Sequence, residues 1–188
     1  MGSSGAILEL FPAPGEWTEE EYLELSDRGR LVELSDGNVE VLPLPTELHQ
    51  LIQMRLAAIL YMFATAHKLG RVRGAPLPTK LGPGKFREPD ILFMTTAHSD
   101  RIGEFWGVPD LAVEILSPST SRTDRTIKRA EYQSAGVQEY WIIDPDAQTA
   151  EIVRFGGETL LLSNGDVLTS PLFPGWSLSL ADLFAPED

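Results

Sequence analysis

The sequence predicts an α/β protein, a mixed β-sheet flanked by helices, on one domain spanning residues 1–188. Three observations predict it. Apolar runs at 111–116 and 140–143 enclose a helix-like stretch, a strand, helix, strand unit whose two strands should be parallel with a right-handed crossover. Apolar residues recur at the helical period over 46–69, which supplies a long helix to cover a sheet face. Turn residues punctuate short apolar segments at both ends, giving an N-terminal hairpin and a C-terminal β-meander.

The elements follow in order. Residues 1–15, beginning MGSSGAI, are small and flexible in character. Thr18 and Glu21 form a capping box for a short helix to about Leu25. RLVELS and NVEVLP flank Asp36-Gly37, the signature of a tight hairpin, and Pro43 and Pro45 end the second strand. Thr46 is the expected N-cap of the long helix, which Gly70 stops near Leu69. Residues 71–82 read as one strand, GPGK as its turn, and Phe86–Met94 as the next strand. After a looser stretch at 95–108, Leu111–Leu116 is apolar enough for a central strand buried on both faces. Ser117-Pro118-Ser119 breaks it, and a helix runs from near Thr123 to Gly136. Tyr140–Ile143 is a strand, 149–155 and 158–163 pair across Gly156-Gly157, and Asn164-Gly165 is one more hairpin-type turn. An edge strand and a short helix close the chain around Trp176 and Phe184.

Composition narrows the function. With 43% apolar and 23% charged residues the chain is ordinary for a globular protein. No apolar run reaches the ~18 residues of a membrane span and no signal-peptide pattern opens the chain, so a cytoplasmic location is expected. The absence of cysteine excludes disulfides, thiolate metal sites and cysteine nucleophiles. A net charge of -13 argues against general nucleic-acid binding, but the charge is unevenly placed. Residues 48–87 hold seven bases, Arg55, Lys68, Arg71, Arg73, Lys80, Lys85 and Arg87, and no acid. That segment either steers an anion or is the solvated face of a helix and loop. The apolar C-terminal meander would support a homodimer.

Three charged residues interrupt the apolar pattern. Asp90 enters one apolar run, Glu114 sits inside Ala112-Val113-Glu114-Ile115-Leu116, and Lys128 follows in the next helix. An unpaired ionised carboxylate in such a strand costs several kcal/mol. Two carboxylates 24 positions apart can converge from adjacent strands on a hard divalent cation, which takes few protein carboxylates and retains waters. The plainer readings are a strand-start carboxylate for Asp90, a structural ion pair for Glu114 and a surface i,i+4 pair with Asp124 for Lys128. His49 lies in the first turn of the long helix, and no HxxxH spacing makes a zinc site. No G-x-S-x-G elbow, P-loop or GxGxxG occurs, which ranks Ser117 and Ser119 low as nucleophiles. A glycosidase-like carboxylate pair lacks any aromatic-lined carbohydrate motif.

EPDILF at 88–93, GVPDLAVEILSPST at 107–120 and DRTIKRAEYQSAGVQEYWIIDP at 124–145 resemble the Uma2 family, also called DUF820. That family belongs to the PD-(D/E)XK nuclease superfamily. EEYLEL at 20–25, VELSDGNVEVLP at 32–43, His49 and SPLFPGWSLSLADLF at 170–184 extend the resemblance over nearly the whole chain. It implies a restriction-endonuclease-like core and a Mg²⁺- or Mn²⁺-dependent endonuclease acting on DNA, or on RNA. Asp90 matches the acidic residue of the PD element and Glu114 that of the (D/E)XK element, both metal ligands. The Ile115 backbone carbonyl would also face the metal. Leu116 stands where the superfamily has lysine, and the resemblance implies that Lys128 has taken over that role. Glu33 matches an accessory acid, with Glu47 and His49 near it in sequence. Arg71, Arg73, Lys80, Lys85, Arg87, Arg122, Arg125 and Arg129 would contact the nucleic acid. The missing lysine leaves a second reading, a nuclease-fold protein that binds nucleic acid or a protein partner without cutting.

Overall fold

A computed structural model describes residues 11–117 and 120–186, so the opening residues 1–10, and with them most of the flexible start, lie outside the described residues. So do Pro118 and Ser119 of the strand-breaking triplet. Helix α1 (Glu19–Asp27) opens the fold on the expected capping box between Thr18 and Glu21 and runs two residues past Leu25. Strands β1 (Val32–Ser35) and β2 (Asn38–Val41) form the hairpin. Asp36 and Gly37 both have positive φ, 50° and 75°, as a type I′ turn requires. A Cβ at Gly37 would also collide with the Gly15 carbonyl.

Helix α2 (Glu47–Ala66) starts from Thr46, whose hydroxyl accepts the His49 N–H, and ends with its C-cap at His67. Two expected strands then divide. Residues 71–82 split into β3 (Gly70–Gly74) and β4 (Thr79–Gly82), separated by the cis Ala75-Pro76 bond. Residues 86–94 split into β5 (Lys85–Arg87) and β6 (Ile91–Thr95). Pro89 has no N–H to give to a ladder, and the chain changes sheets there. Asp90 therefore sits between two strands rather than inside one.

The four-stranded sheet has the order β2-β1-β5-β4, and the six-stranded sheet β10-β9-β8-β7-β6-β3. The latter contains β7 (Leu111–Ile115), β8 (Glu139–Asp144), β9 (Thr149–Arg154) and β10 (Thr159–Leu162). Strands β7 and β8 are parallel, as the strand, helix, strand unit predicts, and the other pairs in the sheet are antiparallel, which makes it mixed. The Asn164-Gly165 turn does not close a hairpin. Beyond it, β11 (Val167–Thr169) pairs instead with β12 (Ser177–Ser179), and α5 (Leu180–Leu183) follows.

Alternation along β7 decides what each face meets. Leu111, Val113 and Ile115 join Ile52, Leu56 and Leu60 of α2 and the C-terminal Phe173 and Trp176 in the main core. Ala112 and Leu116 face the other way, toward Tyr132 of the connecting helix and Val137 just beyond it. Glu114 shares that second face. The connecting helix is built from α3 (Ser121–Thr123), a π-helical turn (Asp124–Lys128) and α4 (Arg129–Ala135), stopped by Gly136 at φ 90°. Helices thus cover both faces of the six-stranded sheet. No helix among the described residues is long and apolar enough to cross a membrane.

Candidate metal and nucleic-acid site

The register of β6 against β7 brings the two predicted acids together. Ile91 faces Val113 in an antiparallel ladder, so one step further along places Asp90 across from Glu114. Asp90 Oδ2 accepts the Ile115 backbone N–H at 2.7 Å and lies 3.1 Å from His49 Nε2. Gln53 of α2 donates to the Asp90 carbonyl at 2.8 Å. Helix α2 and strand β7 therefore grip Asp90 from two sides, although no ladder holds it.

Glu114 is buried, and Oε1 accepts from Lys128 Nζ at 3.1 Å and from the Tyr132 hydroxyl at 2.8 Å. Lys128 is also buried. Its ammonium lies 3.0 Å from Glu33 Oε1 and 3.3 Å from Asp124 Oδ1. The expected surface pair between Asp124 and Lys128 is real in spacing but wrong in location. Both side chains point into the protein, where the π-helical turn presents them with Tyr132 toward Glu114.

One ammonium thus serves three carboxylates. Burial raises the Glu114 pKa well above the usual carboxylate range; Lys128 opposes this, and Asp124, Asp90 and Glu33 add to it. Burial also raises Asp124. For Glu33 burial acts upward, but Lys128 and Arg87 outweigh it and hold the carboxyl below its ordinary value. Burial alone would lower the Lys128 pKa, but Glu114, Glu33 and Asp124 keep the ammonium charged. Glu88, buried near Glu33, is pushed up to about 7, mainly by desolvation.

These groups open into one cleft, lined by Glu88, Asp90, Glu114, Asp124, Lys128 and His49 among others. Glu88 Oε2 is buried there without a hydrogen-bond donor, and Asp124 Oδ1 has only the off-axis Lys128 ammonium at 3.3 Å. Four carboxylates against one lysine make a site short of positive charge, and hard oxygen donors suit Mg²⁺ or Mn²⁺. Among the described residues no group of three or more His, Cys, Asp or Glu side chains is placed to hold a metal ion. An open two-carboxylate site, completed by waters or phosphate oxygens, fits that arrangement.

The other expected site residues divide. Glu33 reaches the cluster from β1, 0% exposed, and His49 reaches Asp90. Glu47 is exposed on α2 and does not line the cleft. Arg87, expected to contact nucleic acid, is buried, with Nη1 on Glu33 at 2.8 Å and Nε on Glu131 at 2.7 Å. Lys80 pairs with Glu19, Lys85 with Asp36 and Glu131, Arg125 with Glu151 and Asp144, and Arg129 with Glu151. Arg71, Arg73 and Arg122 are exposed and have no carboxylate partner among the described residues.

Sequence reasoning missed Tyr132, Asp124 as an inward group, and Glu88. The signal for the first two was present. Asp124, Lys128 and Tyr132 recur at helical spacing, and a tyrosine on that stripe marks the face as buried.

Comparison with known proteins agrees with the fold. A family model described as "Uma2: Putative restriction endonuclease" matches residues 19–181. Among solved structures, a "putative nuclease belonging to DUF820" from Anabaena variabilis ATCC 29413 superposes with a TM-score of 0.77 at 26% identity, covering 89% of this chain and 97% of that one. No curated protein matches. The matched span contains every element that builds the cleft, and the chain belongs to the Uma2 family.

Proposed function

We propose that the protein is a metal-dependent endonuclease that hydrolyses DNA phosphodiester bonds, with RNA as the alternative polymer, and that it works as a homodimer in the cytoplasm. The observation that carries the reading is the convergence of Asp90, Glu114 and Lys128 in one cleft. Membership of a family described as "Putative restriction endonuclease" and likeness to a "putative nuclease belonging to DUF820" support it. Asp90 and Glu114, with the Ile115 carbonyl, would hold Mg²⁺ or Mn²⁺. When bound, such an ion polarises a phosphate oxygen and makes a bound water acidic enough to supply hydroxide.

The chain's own residues do the rest. Ile115 N–H and His49 fix the Asp90 carboxylate, and Tyr132 fixes Glu114. Lys128, kept charged by its carboxylate neighbours, offsets the negative charge that develops on the phosphate in the transition state. Glu33 and Arg87 hold that lysine's surroundings in place from the hairpin side.

Nicking of supercoiled plasmid in Mg²⁺ or Mn²⁺ tests the proposal. Cleavage should require the ion and vanish in Glu114→Ala; purified protein that cuts no nucleic acid in either ion overturns it. The second reading, binding without cutting, is favoured by Leu116, a core residue where the superfamily has its lysine. Calorimetry separates the two, because DNA binding indifferent to metal and to Glu114→Ala belongs to the second.

A further inference from the structure

The cleft has two chemically different linings. One is the carboxylate group with Lys128. The other is apolar: Leu42, Pro43, Leu44 and Pro45 from the segment joining β2 to α2, and Ala75 and Pro76 just after β3. Leu44 is 85% exposed. Its segment is tied at both ends, by the Leu42 N–H on the Leu31 carbonyl at 2.9 Å and by the Thr46 cap of α2. A proline on each side of Leu44 restricts the backbone further. The result is a stiff apolar tip at the rim of the cleft.

We propose that this rim is a wedge for an unpaired base, and that the substrate is nucleic acid with an unstacked nucleotide at the scissile step rather than an intact double helix. The proposal rests on the nuclease reading for where the phosphate goes. The base contact is argued separately, from charge, size and residue type.

Duplex binding draws most of its affinity from lysine and arginine on many phosphates. Here, five of the eight cations expected to meet nucleic acid are committed to carboxylates of the same chain, on a protein of net charge -13. Arg71, Arg73 and Arg122 cannot replace that charge. Neutral contacts to base and sugar must therefore contribute. Leucine and proline are among the residues that enter base steps and unstack them. The cleft volume of ≈ 290 Å³ is at the small end of ligand pockets, room inside it for one nucleotide-sized group. Strand β3 completes the picture. It is the outer strand of its sheet, Arg71 and Arg73 project from its exposed face, and it ends immediately before Ala75 and Pro76. Phosphates flanking a base seated at the rim can follow that edge.

The test compares three labelled DNAs of one sequence: a single strand, a full duplex, and the duplex with a central bubble. Fluorescence anisotropy in Ca²⁺ reads binding, and a fluorescent adenine analogue in the bubble reads unstacking. Single strand and bubble should bind about tenfold tighter than duplex. Leu44→Ala should remove most of that preference and the analogue's brightening, with melting temperature and Mn²⁺ affinity unchanged. Equal affinity for all three DNAs, or a preference that survives Leu44→Ala, overturns the proposal. Cleavage of the same DNAs in Mn²⁺ separates the two readings. A Leu44-dependent binding preference without cutting supports the wedge and sinks the nuclease; equal cutting of all three does the reverse.

Discussion

Asp90 Oδ2 accepts the backbone N–H of Ile115 at 2.7 Å, so the acid that precedes β6 is fixed by the residue that follows Glu114 on β7. The same strand that carries one predicted ligand positions the other. Asp90→Asn keeps an oxygen for that N–H but removes the charge. It should leave the fold intact and weaken Mn²⁺ binding by about two orders of magnitude, because affinity at such sites follows ligand charge. Calorimetric titration with Mn²⁺ and a thermal melt read the two effects apart.

Tyr132→Phe deletes one hydroxyl that donates to Glu114 Oε1. Partners that orient a ligand are worth about 10–100-fold in metal affinity, so Mn²⁺ should bind that much more weakly. The same change should cost only about 1 kcal/mol of stability in a urea titration, the usual net worth of one hydrogen bond.

Lys128→Met leaves Glu33, Glu114 and Asp124 without their shared cation. Removing one partner from a buried charge cluster costs about 3–5 kcal/mol, which should appear as a lowered urea midpoint at neutral pH. Saturating Mg²⁺ should restore part of that loss, since the ion supplies positive charge to the same carboxylates. A midpoint unmoved by the substitution would remove Lys128 from the cluster.

Asp110, 1% exposed, tests electrostatics away from the cleft. Burial acts to raise its pKa, but the Thr95 N–H, His98 and Gln138 outweigh burial and hold it below the ordinary value. A depressed folded-state pKa contributes stability above the unfolded value, about 4, and loses it as pH falls through the folded one. Asp110→Asn should therefore lower stability by about 1–3 kcal/mol at pH 7. The gap from wild type should begin to narrow in melts taken below about pH 4, where the unfolded carboxyl protonates, and close only as pH falls through the lower folded-state value.

What could be read from the sequence follows from how local each cause is. Asp36-Gly37 fixes its hairpin because the positive φ angles are a two-residue requirement. Glu114 was legible because a carboxylate inside an apolar run needs a compensating partner wherever the run lies. The broken strand at Pro89 was harder, since a single proline is tolerated at a strand edge and only the two-sheet arrangement decides its effect. Lys128 and Arg87 were the least legible. Lys128 spaces correctly for a surface pair with Asp124, and what buries it is Glu33, from a hairpin far back in the chain. Arg87 looks like a solvent-facing base at the end of a basic segment, and its partner is 54 residues away. Side chains committed to distant carboxylates leave no local periodicity to find.

Asp90 and Glu114 are proposed to share one divalent cation beside the Lys128 ammonium. A crystal soaked in Mn²⁺ and measured at the manganese absorption edge tests this most directly. An anomalous peak should appear within bonding distance of both carboxylates, about 2.0–2.2 Å, with Lys128 lining the same cleft. A saturating soak with no peak there, or a peak held by other residues, would contradict it.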